Sequence, residues 1–141
     1  MKYYPALLQW IAFYHHLQYD LTTAMTLYKQ CAEFDDKDAS LHVKMAGVHM
    51  DGGKLDMAME CFSTALKIQP KLADVFLHRS NLHMLNRNLE EAKADLEKCM
   101  EINNTWIPAR LRYATVLMHL GDLKTAGDTI DESLKSSPKN Y

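Results

Sequence analysis

Cysteine is scarce in this chain: Cys31, Cys61 and Cys99 are the only three. An odd number with no CxxC pair supplies neither a disulfide framework nor a structural zinc site, and fits a reducing compartment. Each falls on the apolar side of a helix by periodicity, so inert packing is expected of all three. Five glycines and four prolines are too few for a low-complexity segment. No apolar run approaches the roughly 18 residues of a membrane span, and Gln9, His15, His16, Gln18 and Asp20 break up the N-terminal stretch, so it does not read as a signal peptide. Charge of one sign is missing too: 16 Lys and Arg against 18 Asp and Glu leave a net charge of -2. That balance provides no field for nucleic acid or an anionic bilayer. The segment is expected to bind no nucleic acid and to make no membrane contact.

The residues of catalysis are also absent. No nucleophile stands beside a base, and Gly52-Gly53 lies in a turn, outside any GxxxxGK[ST] loop. Glu90-Glu91 and Asp35-Asp36 fall at helix edges, where carboxylates solvate a surface or complement a helix dipole. The chain reads as no enzyme, with no catalytic residue and no cofactor. Seven histidines raise the question of a metal. His15, His49 and His83 recur at one position of the repeat described next, about one helix layer or 8–10 Å apart, too far to share an ion whose bonds to nitrogen are about 2 Å. His15-His16 and His78/His83 lack the i, i+4 spacing of a helical site. No metal is expected.

What the chain has is a period. Ala24, Ala58, Ala92 and Ala126 are spaced by 34 residues, as are Tyr28, Phe62, Leu96 and Ile130, and Asp36, Pro70, Asn104 and Pro138. The frame runs without insertion through four units, residues 5–38, 39–72, 73–106 and 107–140, as a single array over 1–141. The clearest unit is ADVFLHRSNLHMLNRNLEEAKADLEKCMEINNTW, from Ala73 to Trp106. Val75, Phe76, Arg79, Leu82 and His83 keep helical spacing in its first half, and Leu89, Ala92, Leu96 and Cys99 in its second. Each unit is therefore a helical hairpin. First helices end near Leu17, Asp51, Asn86 and Leu120; second helices begin near Leu21, Leu55, Leu89 and Leu123. Asp20, Asn88 and Asp122 stand where an N-cap is needed, and Asn88 with Glu91 forms a capping-box pattern. Lys54 breaks that rule, and Gly52-Gly53 supplies the turn there. The alanine ladder marks where paired helices approach closely, and Pro70 and Pro138 stop helices more firmly than Asp36 and Asn104.

This period, with small residues at Ala12, Ala46, Ser80 and Ala114, the alanine ladder, a large apolar residue four positions later and proline near the unit's end, resembles the tetratricopeptide (TPR) repeat family. The family's tryptophan at position four is replaced by Leu8, His42, Phe76 and Arg110. The resemblance implies an all-α, right-handed α-solenoid of four helix-turn-helix repeats whose first helices line a concave, peptide-binding groove. Positions two, five, six, nine and twelve then supply Gln9 and Phe13; Val43, Lys44, Gly47 and Met50; Asp74, Leu77, Asn81 and Met84; and Leu111, Arg112, Thr115 and Met118. Ala6, Trp10, His16, Ser40, His78 and Pro108 complete the set. The midline is apolar and rich in methionine, which suits varied apolar segments. Of the family's clamp for acidic chaperone tails, only Arg112 is matched.

ADVFLHR at Ala73 to Arg79 and EEAKADLEKC at Glu90 to Cys99 resemble, more narrowly, the roughly 70-kDa Tom class of import receptors of the mitochondrial outer membrane, built almost wholly of such repeats. That resemblance implies mitochondrial precursors as partners, at the cytosolic face of the outer membrane, and a piece of a longer repeat region. The alternative is a scaffold or co-chaperone module of another TPR protein, cytoplasmic, whose groove takes one fixed partner. Tyr3, Tyr4, Leu7, Leu8, Trp10 and Ile11 open the first helix, and Leu123, Ala126, Ile130 and Leu134 close the last without a polar cap, so self-association through these faces is expected.

Overall fold

The computed structural model describes residues 4–136. Among them lie eight helices and no strand: α1 (Tyr4–Leu17), α2 (Leu21–Phe34), α3 (Ala39–Asp51), α4 (Leu55–Ile68), α5 (Ala73–Leu85), α6 (Leu89–Ile102), α7 (Ile107–His119) and α8 (Leu123–Ser136). Every first-helix end and every second-helix start falls within a residue of where the 34-residue frame puts it, and α2, α4 and α6 end two residues before Asp36, Pro70 and Asn104; Pro138 lies outside the described residues. The chain divides into two compact units, residues 1–70 and 71–141. Each consists of two hairpins, α1–α2 with α3–α4 and α5–α6 with α7–α8.

The alanine ladder does what its spacing requires. Ala24, Ala58 and Ala92 are fully buried and Ala126 nearly so, as are Ala12, Ala46, Ser80 and Ala114 on the facing first helices. Without a long side chain at either position, the two helices of a hairpin come close enough for larger neighbours to interdigitate around the contact. In the first unit Leu8, Tyr28, Cys31, Leu41, Met45 and Val48 form that surrounding core. In the second unit Ala92, Leu96 and Val116 form one cluster and Ala114, Leu117 and Ala126 another. Ser80 fits the same slot because its hydroxyl donates to the Leu77 carbonyl at 2.6 Å, so no polar atom is left bare. Among the described residues no helix is long and apolar enough to cross a membrane.

All four hairpins turn through one left-handed residue at one frame position: Tyr19 (φ 62°), Gly53 (φ 74°), Arg87 (φ 60°) and Gly121 (φ 88°). Just beyond it, Asp20 accepts from the Thr23 amide at 3.3 Å and Asp122 from the Thr125 amide at 3.2 Å. The expected capping box at Asn88 is absent. Asn88 occupies the N-cap and its carbonyl takes the Ala92 amide, but its side chain makes no cap hydrogen bond. A neutral amide is a weaker acceptor for that amide edge than a carboxylate, and Glu90 and Glu91 already place negative charge in the first turn of α6.

The second unit holds a polar group inside its packing. Arg79 on α5 grips Asp95 on α6 with two hydrogen bonds, Nε at 2.8 Å and Nη2 at 2.7 Å. His83 Nε2 stands 3.5 Å from the same carboxylate, and Arg79 also lies over the Phe76 ring, 5.6 Å from its centre. The frame equivalents of Arg79 and Asp95 are Ile11 and Leu27 in the first repeat and Met45 and Cys61 in the second. In the first two repeats this slot is apolar, and in the fourth it holds Tyr113 and Thr129.

Candidate functional site

None of the fourteen groove positions read from the sequence is buried; each is exposed or half-buried on a first helix. That follows from period. The second helix of its own hairpin covers the stripe of α1 that holds Leu8 and Ala12, and on α3 the preceding α2 covers Leu41, Met45 and Val48, which leaves positions two, five, six, nine and twelve on another face.

In the first unit the structure gathers several of these residues into one cavity of about 350 Å³, lined by Ala6, Gln9, Trp10, Phe13 and Lys44. Trp10 is 71% exposed and Phe13 42%. The two rings meet edge to face, with centres 6.4 Å apart and planes at 81°. Lys44 Nζ donates to Gln9 Oε1 at 2.9 Å, and Gln9 Nε2 donates to Asp38 Oδ2 at 3.4 Å. Val43, Gly47 and Met50 continue α3, half-buried. A Cβ at Gly47 would lie 3.5 Å from the His16 ring, ordinary contact, so this glycine is not required by space. His16 Nε2 in turn sits 2.6 Å from Asp51 Oδ2.

In the second unit Arg112 donates to the Asn81 side-chain oxygen, so two predicted residues are joined directly across α5 and α7. Leu77 and Met84 pack against the cluster of Ala92, Leu96 and Val116, and so serve the core as well as the face. Leu111 (47% exposed) and Met118 (45%) stand out from α7, with Thr115 tied back to the Leu111 carbonyl at 2.9 Å. Asp74 is exposed at the start of α5. Met84 also borders a separate cavity of about 370 Å³ with Leu85, Arg87, Leu89 and His119.

Position four shows why its tryptophan is dispensable here. His42 Nε2 lies 3.0 Å from the Asp36 carbonyl, and Arg110 Nε donates to the Asn104 carbonyl at 2.6 Å, its Nη2 reaching the Asn104 side chain at 3.1 Å. Asp36 and Asn104 are frame equivalents. In these two repeats a hydrogen bond to the preceding loop takes the place of an aromatic wedge, which the sequence shows only as two polar exceptions. Arg110 is 8% exposed.

The other candidate chemistry is structural. Cys31 Sγ and Cys99 Sγ sit at 3.6 Å and 3.3 Å from the equivalent carbonyls of Pro5 and Ala73. Burial pushes all three thiols above their ordinary range, Cys99 to about 11, with the charge of Asp74 adding to it. A thiol held protonated is a poor nucleophile. His15 pairs with Asp20 at 3.3 Å, His49 is buried, and among the described residues no group of three or more His, Cys, Asp or Glu is placed to hold a metal ion.

Residues 39–72 and 73–105 match the family model of the tetratricopeptide repeat. Human tetratricopeptide repeat protein 6 is 28% identical over 117 residues, covering 81% of this chain and 22% of that protein. The STIP1 homolog of Dictyostelium discoideum is 31% identical over 84 residues, 59% of this chain and 15% of that one. The chain thus spans 22% or less of the length of these curated relatives. Among solved structures, the first TPR of Spaghetti (RPAP3) bound to HSP90 peptide SRMEEVD superposes with a TM-score of 0.76 at 18% identity, over 83% of this chain and 93% of that one.

Proposed function

We propose, from the premise that residues 39–105 are tetratricopeptide repeats and that the other two hairpins share their fold, that this chain is a non-catalytic module binding apolar or amphipathic peptide segments on the faces of its first helices. One observation carries this reading. Apolar side chains at frame positions left outside the hairpin cores, Phe13 on α1 and Leu111 and Met118 on α7, stand in the open at 42%, 47% and 45% exposure, on helices whose Ala12 and Ala114 are buried. Exposing them costs hydration free energy, about 25 cal/mol per Å² of apolar surface, which a bound segment recovers.

The occupant follows from the midline. Methionine and leucine accept irregular apolar surfaces, while Lys44 sets polarity on the first unit's face and Asp74 and Arg112 on the second's. The finer assignment, a part of a mitochondrial outer-membrane import receptor that takes precursor segments at the cytosolic face, is supported by the residues ADVFLHR and EEAKADLEKC. A second reading, a scaffold or co-chaperone module with one fixed partner, is favoured by the likeness to the STIP1 homolog. Against an acidic chaperone tail stands the near absence of the clamp residues, since Gln9, Phe13, Val43 and Gly47 stand at positions where lysine and asparagine would be needed.

Titration calorimetry separates these readings. The probes are an apolar peptide from a mitochondrial carrier and the peptide SRMEEVD. Phe13→Asp and Met118→Asp are the variants of choice, because Leu77 and Met84 also hold the core and their replacement would confound binding with unfolding. The carrier peptide is expected to bind and to lose about tenfold or more in affinity in each variant. Equal binding by wild type and variants removes these faces from the mechanism, and preference for SRMEEVD favours the second reading.

A further inference from the structure

The first unit carries a charge that an apolar groove leaves unused. Lys44 is exposed beside the cavity of Trp10 and Phe13, and among the described residues it makes no ion pair; its partner is the neutral amide oxygen of Gln9. An ammonium has three donors, so two remain for solvent or a ligand. The acid nearest in this network is already committed. Asp38 is the N-cap of α3 and accepts from the Ser40 amide at 3.0 Å, the Ser40 hydroxyl at 2.7 Å and Gln9 Nε2 at 3.4 Å. Burial alone would raise the pKa of Asp38, but the hydrogen bonds from Ser40 and Gln9 outweigh it and hold the carboxyl below its ordinary value. Asp38 is therefore an anion fixed in place, and by holding the Gln9 amide nitrogen it turns the amide oxygen toward Lys44. The result is a chain, Asp38 to Gln9 to Lys44, that ends in a positioned cation at the rim of an aromatic cavity.

The cavity's size and walls define the other half of a ligand. About 350 Å³ lies at the small end of ligand pockets and suits one large side chain. Trp10 and Phe13, set edge to face against each other, both line it. Resting on the reading of these faces as peptide-binding, we propose that this cavity anchors a segment placing one large apolar or aromatic side chain against Trp10 and Phe13 and an adjacent carboxylate on Lys44. Charge-assisted hydrogen bonding from an oriented ammonium selects a carboxylate over an amide, and the described residues that line the cavity include no acid to attract a lysine or arginine. A basic, acid-poor presequence helix is the wrong partner for this anchor. A peptide with an aspartate or glutamate side chain beside its anchor residue fits it.

The test uses the whole chain in a Trp106→Phe background, so that Trp10, the other of its two tryptophans, reports alone. The probes are short amidated peptides on one apolar framework, with glutamate, glutamine or lysine beside a phenylalanine, and a glutamine version ending in a free carboxylate directly after the phenylalanine. The glutamate peptide is expected to shift Trp10 emission and to bind about five- to tenfold tighter than the glutamine peptide, with the lysine peptide weakest. In Lys44→Glu the order is expected to invert, so that the lysine peptide binds best. Weak binding by the free-acid glutamine peptide supports a side-chain carboxylate; binding tighter than that of the glutamate peptide overturns that assignment. If all peptides bind alike, and Lys44→Glu changes nothing while Phe13→Asp abolishes binding, the carboxylate anchor is overturned and the peptide-binding reading stands. If no peptide binds by fluorescence or calorimetry, both fall.

Discussion

At the scale of single residues, the four hairpin turns make an internal control. The same left-handed position is occupied by glycine in the second and fourth repeats and by Tyr19 and Arg87 in the first and third. A non-glycine residue pays about 1–2 kcal/mol to stand there, partly offset by the smaller entropy of its unfolded state. Tyr19→Gly and Arg87→Gly are each expected to stabilise by about 0.5–1 kcal/mol, and Gly53→Ala and Gly121→Ala to destabilise by about 1 kcal/mol. Thermal unfolding followed by circular dichroism checks all four. No space constraint complicates the glycines, since nothing lies within 4 Å of a Cβ built at either. His49 gives a pH-dependent counterpart. Burial, then the charges of Lys54 and Lys29, lower its pKa below the ordinary 6.5, while Glu60 opposes them weakly. The unfolded chain therefore binds a proton that the folded chain refuses. Stability from this group is complete above about pH 6.5 and falls as pH drops below it toward the lowered folded value. Denaturant midpoints measured between pH 7 and 5 are expected to decline less in His49→Phe than in the wild type; an unchanged slope would remove His49 as the source.

At the scale of elements, the pair of Arg79 and Asp95 ties α5 to α6 at a position where the first two repeats hold apolar residues. Removing the guanidinium leaves the Asp95 carboxylate, 4% exposed, without its two hydrogen bonds, so Arg79→Ala is expected to cost about 3 kcal/mol. Replacing both partners with their first-repeat equivalents, Arg79→Ile with Asp95→Leu, is expected to recover most of that loss, because the same slot holds apolar residues in the first two repeats. The helix starts differ similarly. Asp20→Ala and Asp122→Ala remove real caps, each worth about 1 kcal/mol, whereas Asn88→Ala removes none and is expected to be close to neutral. These differences mark the limit of what the sequence reveals. The 34-residue period exposes every helix boundary because it depends on side-chain size and spacing alone. It does not expose which polar residue finds a partner: Asn88 has the pattern of a capping box without the bond, and Arg79 sits on a helical stripe without announcing that its partner is sixteen residues away. The face positions were legible for the same reason as the helices, but the chain from Asp38 through Gln9 to Lys44 crosses from α1 to α3 and depends on rotamers. Tyr19 and Arg87 could have been found, since Gly53 and Gly121 mark their frame position.

For the molecule as a whole, the frame separates covered faces from open ones. Leu41, Met45 and Val48 on α3 are 1%, 9% and 3% exposed, while their equivalents Leu7, Ile11 and Tyr14 on α1 are 53%, 38% and 59% exposed. On α8, Leu123 is 68% and Leu134 48% exposed. A second helix such as α2, which packs on α3, is the shape that fits the open α1 face, and α8 is such a helix. Sedimentation velocity across a concentration series is expected to show reversible association, abolished in Leu7→Lys/Tyr14→Lys; a strict monomer at high concentration would count against contact between copies.

The left-handed turn at Arg87 also sets a clock. Trypsin cleaves after arginine, but its cleft needs several residues in extended form, and Arg87 is folded back with its amide held by the Met84 carbonyl at 3.0 Å. An exposed arginine at a loop tip is ordinarily an early cut. Here the bond becomes scissile only when the hairpin of α5 and α6 opens, so the rate of nicking at Arg87 measures that local opening, without unfolding the rest of the chain.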